Sequence, residues 1–456
     1  MIPPRPETSA GGGLLHYIRA FRRDLLSALP GRLYRAWMAE YRRGPIHSFF
    51  CNDPALITLI LRERPDEFPK SNRLREGLAP LLGRSVFVTN GAEWRRQRRI
   101  IDPAFEGGRL REIFPHIRDA AIAATARLPE GETDLEPLTA HAAADVIFRT
   151  LFSIPIAHET AAQVFATFRA HQDAQPIVNL AALIPFPAWL PRPHSRRTRR
   201  TAATIRRLIE SLVAARAAEI AAGSAPDDLA TKIMTTPDPE TGRIFTPAEM
   251  VDQVAIFFLA GHETSASALA WALWLLAAYP DWQDRIAAEA RAEIDPADTD
   301  FATLSRLSLS RAAFREAMRL YPPVPMMVRE AACPHEFRGR PVPKGAQIVI
   351  SPWHLHRHER LWDRPDEFDP ARFGTENGRD CLRRAYIPFS AGSRVCPGAG
   401  FAMVEGPLIL SMILRDHRLE ITDQLPVPVA RLTVRSRNGI RVRISPRGPL
   451  TSPGRQ

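Results

Sequence analysis

One sulfur limits what this chain can fold into. Cys396 lies in the run Phe389-Ser390-Ala391-Gly392-Ser393-Arg394-Val395-Cys396-Pro397-Gly398, flanked by two glycines, a proline and one arginine. A free cysteine taken alone is a small buried hydrophobe. In this setting it suits a thiolate that faces a metal in a nonpolar pocket. Gly392 and Gly398 let the chain turn tightly and lie flat. Backbone N–H groups after the cysteine can point at the sulfur and tune it, and Phe389 would shield it. The metal that fits is haem iron, because a thiolate ligand pushes electron density onto iron and favours O–O cleavage.

A second polar signal interrupts an apolar stretch. Val254-Ala255-Ile256-Phe257-Phe258-Leu259-Ala260-Gly261-His262-Glu263-Thr264-Ser265 is apolar on nearly all sides, as expected of a helix crossing a protein interior. Ala260 and Thr264, four residues apart, share a face. Gly261 between them permits a local distortion whose freed carbonyl a hydroxyl or water can satisfy. An acid and an alcohol, Glu263 and Thr264, beside a gap made by small residues suit the handling of O2.

The cysteine run matches every fixed position of Phe-x-x-Gly-x-Arg-x-Cys-x-Gly, and on it the chain resembles the cytochrome P450 superfamily of haem-thiolate proteins. The resemblance extends from about residue 53 to 444 and includes the Ala-Gly-x-Glu-Thr segment and the meander Trp362 to Phe373. It implies a mainly α fold with a smaller β-rich part: one large domain, residues 1–456, enclosing haem between a long central helix and the cysteine loop. Residues 1–13 and 447–456 are expected to be flexible tails.

Cys396 is then the metal ligand. Thr264 would organise water and dioxygen, and Glu263 would support proton delivery. Phe389, Gly392, Gly398, Ala260 and Gly261 would lie against the cofactor. Haem propionates need donors, and arginine offers bidentate hydrogen bonds with a permanent charge. Trp94 and Arg98 stand one helical turn apart, and the resemblance assigns them this role with Arg329 and Arg394. Glu316, Arg319 and Arg372 match the superfamily's structural triad. Phe87, Phe257, Ala260, Val324, Met326 and Leu432 match its pocket-lining segments and suggest an apolar substrate bound by shape.

Composition narrows the setting. The net charge is +11, yet nearly all of the basic residues are arginines spread over the chain, and no nucleic-acid motif accompanies them. The cluster Arg95 to Arg99 reads either as a solvated basic face or as a dock for an acidic redox partner. Cys51, Cys333, Cys381 and Cys396 are too few and scattered for a disulfide framework, which suits a reducing cytoplasm. No apolar run is long enough to cross a bilayer. These features resemble the soluble bacterial branch of the superfamily.

Helical periodicity dominates from Trp94 to about Leu320, with Pro176 to Pro193 as a proline-rich connection able to gate a pocket. Ile46 to Cys51, Val328 to Glu330, Gln347 to Ser351 and Leu432 to Ile444 read as extended, the last with an Asn438-Gly439 hairpin turn. Pro352 to Arg384 reads as irregular.

The implied activity is insertion of one oxygen atom of O2 into a hydrophobic small molecule. It would use haem b and NAD(P)H acting through a ferredoxin or flavodoxin with its reductase. A haem-thiolate peroxygenase or isomerase, or a non-catalytic haem sensor, would share the cysteine loop; Thr264 speaks against the peroxygenase.

Overall fold

The computed structural model describes residues 3–6, 20, 24–43, 46–174 and 194–448. The proline-rich connection, Pro176 to Pro193, lies outside the described residues. Of the expected tails, residues 3–6 are anchored: Arg5 pairs with Asp366, and the Tyr321 hydroxyl donates to the Pro4 carbonyl at 2.9 Å. At the other end, Arg447 pairs with Asp284 at 2.8 Å.

Six helices position the site: α1 (Gly91–Ile101), α2 (Leu135–Phe152), α3 (Glu159–Ala174), α4 (Pro247–Ala278), α5 (Ser308–Leu320) and α6 (Ala399–Asp416). The apolar stretch recognised in the sequence is the middle of α4, a 32-residue helix. Its start is set by Pro247 in the first turn and by reciprocal capping between Thr246 and Glu249. Nearly every residue from Met250 to Ala277 is buried, so α4 is a central beam packed on several sides. Trp271 stacks on Tyr321 with ring centres 3.9 Å apart, fixing α4 against the end of α5.

At Gly261, α4 and α2 pack closely. A Cβ there would fall 2.3 Å from Ile147 Cδ1. The glycine therefore serves close helix packing, within an α-helical stretch of α4.

The largest sheet orders β1 (Met38–Arg43), β2 (Ile46–Cys51), β4 (Gln347–Ile350) and β3 (Met327–Glu330). The pair β2–β4 is parallel and the other two are antiparallel. The expected hairpin at Asn438-Gly439 does not form. β6 (Val434–Ser436) pairs with β5 (Pro428–Ala430), while β7 (Arg441–Pro446) joins a different sheet. Asn438 holds the intervening bend by accepting from Val427 N–H and donating to the Leu425 carbonyl, and Gly439 takes φ +82°. Those side-chain bonds turn the chain from one sheet to another, an outcome the dipeptide alone does not specify. Within the expected irregular stretch, Pro352–Leu355 and Glu376–Arg384 are helical.

Candidate active site

Cys396 is placed by its own loop. Its N–H donates to the Phe389 carbonyl at 2.9 Å, and its carbonyl accepts from Ala399 at 3.3 Å, where α6 begins. Ser390 and Gly392 take φ of +64° and +69°. A Cβ on Gly392 would sit 1.9 Å from the Leu61 carbonyl oxygen, so both the turn and the close approach demand glycine. Gly392 thus shapes the loop from its outer side and does not face the cavity. Gly398 has an ordinary φ of −81°. It lines the cavity, and a Cβ there would occupy space 3.8 Å from Sγ.

The sulfur opens onto the cavity yet lies deep in the protein. Burial pushes its thiol up, opposed by the Gly398 N–H and the Arg98 guanidinium. A bound cation would supply the compensation that burial withholds.

Around Trp94 stands a cluster of cations. Arg394, Lys70 and Arg98 lie 4.9, 5.7 and 6.0 Å from its ring centre. Arg329 completes the group from β3. Lys70 donates to the carbonyls of Val86 at 2.6 Å and Thr89 at 3.3 Å. Arg98 donates to the Val395 carbonyl at 2.7 Å and pairs with Asp102. Arg394 donates to the Pro65 carbonyl at 2.6 Å.

Burial, then repulsion from Arg329, Arg394 and Arg98, holds the Lys70 ammonium well below its usual range. Arg329 is pushed down to about 10 by burial and by Arg394. The buried Nε atoms of Arg329 and Arg394 have no hydrogen-bond partner among the described residues. Such a set of donors and charges fits a ligand bearing two carboxylates, which is what haem presents.

On the opposite wall, the Thr264 hydroxyl donates to the Ala260 carbonyl at 2.5 Å. Glu263 is buried and fully engaged: Oε1 accepts from Thr433 at 2.8 Å and Arg435 at 3.0 Å, and Oε2 from Gln172 at 3.0 Å. Ser265 donates to Glu405 of α6, whose other oxygen has no hydrogen-bond partner among the described residues. Burial pushes the Glu405 carboxyl up to about 8.

Cys396, Phe389, Trp94, Arg98, Arg329, Arg394, Ala260, Gly261, Glu263 and Thr264 all line one cavity of about 830 Å³. The pocket residues Phe87, Phe257, Val324, Met326 and Leu432 line it too, Phe87 and Leu432 being exposed.

The triad lies elsewhere. Arg319 grips Glu316 with two bonds of 2.8 Å and Arg372 adds one of 2.9 Å, all three residues being buried. The two arginines also donate to the carbonyls of Asp363, Arg364, Pro365 and Glu367, tying the meander to α5.

The basic face of α1 is less free than its sequence suggests. Arg95 pairs with Asp66, Arg96 with Glu249, and Arg99 with Asp238 and Glu240.

The family model for cytochrome P450 matches residues 29–440. The chain belongs to the cytochrome P450 family. This cytochrome P450 is 33% identical over 434 residues to the cyclooctat-9-en-7-ol 5-monooxygenase of Streptomyces melanosporofaciens, covering 93% of this chain and 92% of the relative. It is 31% identical over 445 residues to cyclooctatin synthase of the same organism, at 94% and 92% coverage. The fold matches the haem domain of cytochrome P450DA with a TM-score of 0.80 at 24% identity, over 98% of each chain. The protein is accordingly a haem monooxygenase, and its family uses O2 with reducing equivalents from NAD(P)H delivered through partners.

Sequence reasoning missed several groups in this P450's cavity. Lys70 carried a usable signal as one of only three lysines in an arginine-rich chain. Glu405 carried another, a carboxylate amid the apolar run Phe401 to Leu408. Nothing local marked Gln172, Thr433 or Arg435, which come from separate elements.

Proposed function

We propose that this P450 hydroxylates or epoxidises a neutral, apolar small molecule of terpenoid type, with haem b held between Cys396 and α4. Electrons would come from a separate ferredoxin or flavodoxin with its reductase, in a cytoplasmic, bacterial-type setting. The observation that carries this reading is one cavity that joins the Cys396 sulfur to an apolar wall next to Thr264. The four unpaired cysteines suit a reducing compartment, and no helix among the described residues is long and apolar enough to cross a membrane. An apolar substrate of this kind is in keeping with a relative whose name makes it the oxygenase of an unsaturated alcohol.

Bound haem would supply the oxygen-splitting chemistry, with Cys396 on its iron and Lys70, Trp94, Arg98, Arg329 and Arg394 around its carboxylates. The chain's own residues do the rest. Thr264 has committed its proton to the Ala260 carbonyl, so its oxygen meets the cavity as an acceptor and can hold a water there. Glu263 neighbours Thr264 in the chain and pairs with Arg435, whose side chain is one-third exposed. Rotation of Glu263 out of the Arg435 pair would let its carboxylate take a proton from solvent water and hand it inward to a water at Thr264 Oγ1, returning the carboxylate to its arginine. Phe87, Phe257, Val324, Met326 and Leu432 orient the substrate by shape and exclude bulk water.

Titrating a library of terpenoid, steroid, aromatic and fatty compounds against the ferric protein tests this reading, the spin-state shift reporting displacement of water by a ligand. Neutral terpenoids should give the tightest shifts and should be oxygenated only with NAD(P)H, O2 and added redox proteins. Turnover with peroxide alone, or preference for charged compounds, would overturn the proposal. So would the absence of the red-shifted Soret band of the carbon monoxide complex.

A further inference from the structure

Away from the cavity, three potential metal ligands converge. Glu67 follows the helical segment that ends at Glu63, and Cys333 and His335 follow β3. All three are half-buried. His335 Nε2 lies 3.4 Å from Glu67 Oε2 and 3.4 Å from Cys333 Sγ, and Sγ lies 3.7 Å from Glu67 Oε2.

These separations match a coordination polyhedron. A tetrahedral zinc ion, with bonds of about 2.3 Å to sulfur and about 2.0–2.2 Å to nitrogen and oxygen, sets its ligand atoms roughly 3.4–3.6 Å apart. One point can therefore lie at bonding distance from all three atoms with almost no movement. The scaffold is ordered in advance: the His335 ring stacks on fully buried Phe68 at 4.3 Å and 28°, and Ala332 N–H donates to the Glu67 carbonyl at 2.9 Å. The rival for Glu67 is Arg64 at 3.7 Å, a well-exposed pair of little strength.

We propose that Glu67, Cys333 and His335 bind one divalent cation of the zinc class, with a fourth position left to water. Sulfur and imidazole nitrogen select zinc over magnesium or calcium. On binding, the Cys333 S–H proton leaves to solvent and an S–Zn bond forms, with no change of oxidation state. The ion would fasten the 63–68 loop to the strand region after β3. That loop holds Arg394 through the Pro65 carbonyl. The site would thus be a clip behind the carboxylate-binding cations, separate from the oxygenation chemistry.

The test uses full-length, haem-loaded protein, stripped with a chelator, desalted and dialysed against Zn²⁺. Elemental analysis should find one zinc per chain, and alkylation read by mass spectrometry should show Cys333 protected when zinc is present. Cys333→Ser and Glu67→Gln should each weaken zinc binding by about tenfold or more, with the haem spectrum and thermal midpoint of the zinc-free protein unchanged. Unprotected Cys333, no bound zinc, or one equivalent still bound equally well by Cys333→Ser would overturn the proposal.

Discussion

Arg435 reaches Glu263 at 3.0 Å across 172 residues of sequence, so a strand residue near the surface controls the acid on the central helix. Replacing Glu263 by Gln keeps the size and removes the titratable group. Product formation should fall by on the order of tenfold to hundredfold, while the substrate-induced spin shift is retained. Replacing Arg435 by Gln should lower stability by about 1–2 kcal/mol in denaturant titrations, a buried-pair loss discounted for the guanidinium's partial exposure.

Thr264→Ala removes the hydroxyl that bonds the Ala260 carbonyl and that we propose holds a water. Electron consumption should continue while product per electron pair falls by on the order of tenfold. Thr264→Ser should restore most of the coupling, because the hydroxyl is what matters. Product and NAD(P)H measured together decide this.

Glu405 gives a pH signature. Its folded-state pKa of about 8 lies above that of an ordinary glutamate, so the native state holds the proton more firmly. The resulting stability is complete below the ordinary glutamate range and is lost as pH rises through about 8. Glu405→Gln is neutral throughout. Its thermal midpoint should therefore stay flatter with pH and exceed that of the parent protein on the alkaline side. Parallel pH slopes for the two proteins would refute the assignment.

Lys70→Met removes one cation beneath Trp94 along with the carboxylate bond that cation would make. Transfer of haem to a scavenger protein should accelerate by about tenfold, the equivalent of losing ~1.4 kcal/mol. The carbon monoxide spectrum should keep its thiolate signature.

Glu316→Ala leaves two buried guanidinium groups without their shared carboxylate. A loss of about 3–5 kcal/mol is expected, seen as poor haem incorporation and a lowered thermal midpoint.

Contiguous residues made part of this protein legible. The cysteine loop spans ten residues whose spacing dictates its own turn, and Glu316 and Arg319 meet because three residues along a helix share a face. The apolar length of α4 announced its burial. The packing role of Gly261 was not legible because its neighbour, Ile147, belongs to another helix. The Asn438-Gly439 turn was misread for a related reason: which strand pairs with which depends on partners far along the chain.

Chemistry written in adjacent positions was therefore fixed by the sequence alone: the sulfur, the acid–alcohol pair and the helix that carries it. Tertiary packing decided which distant groups attend them. Lys70 beside Arg394, Arg435 on Glu263, Ser265 on Glu405 and Glu67 beside Cys333 are each brought together from separate elements. Backbone geometry sets spacing over a turn or two, but only the mutual burial of helices and strands brings charges more than a hundred residues apart into contact.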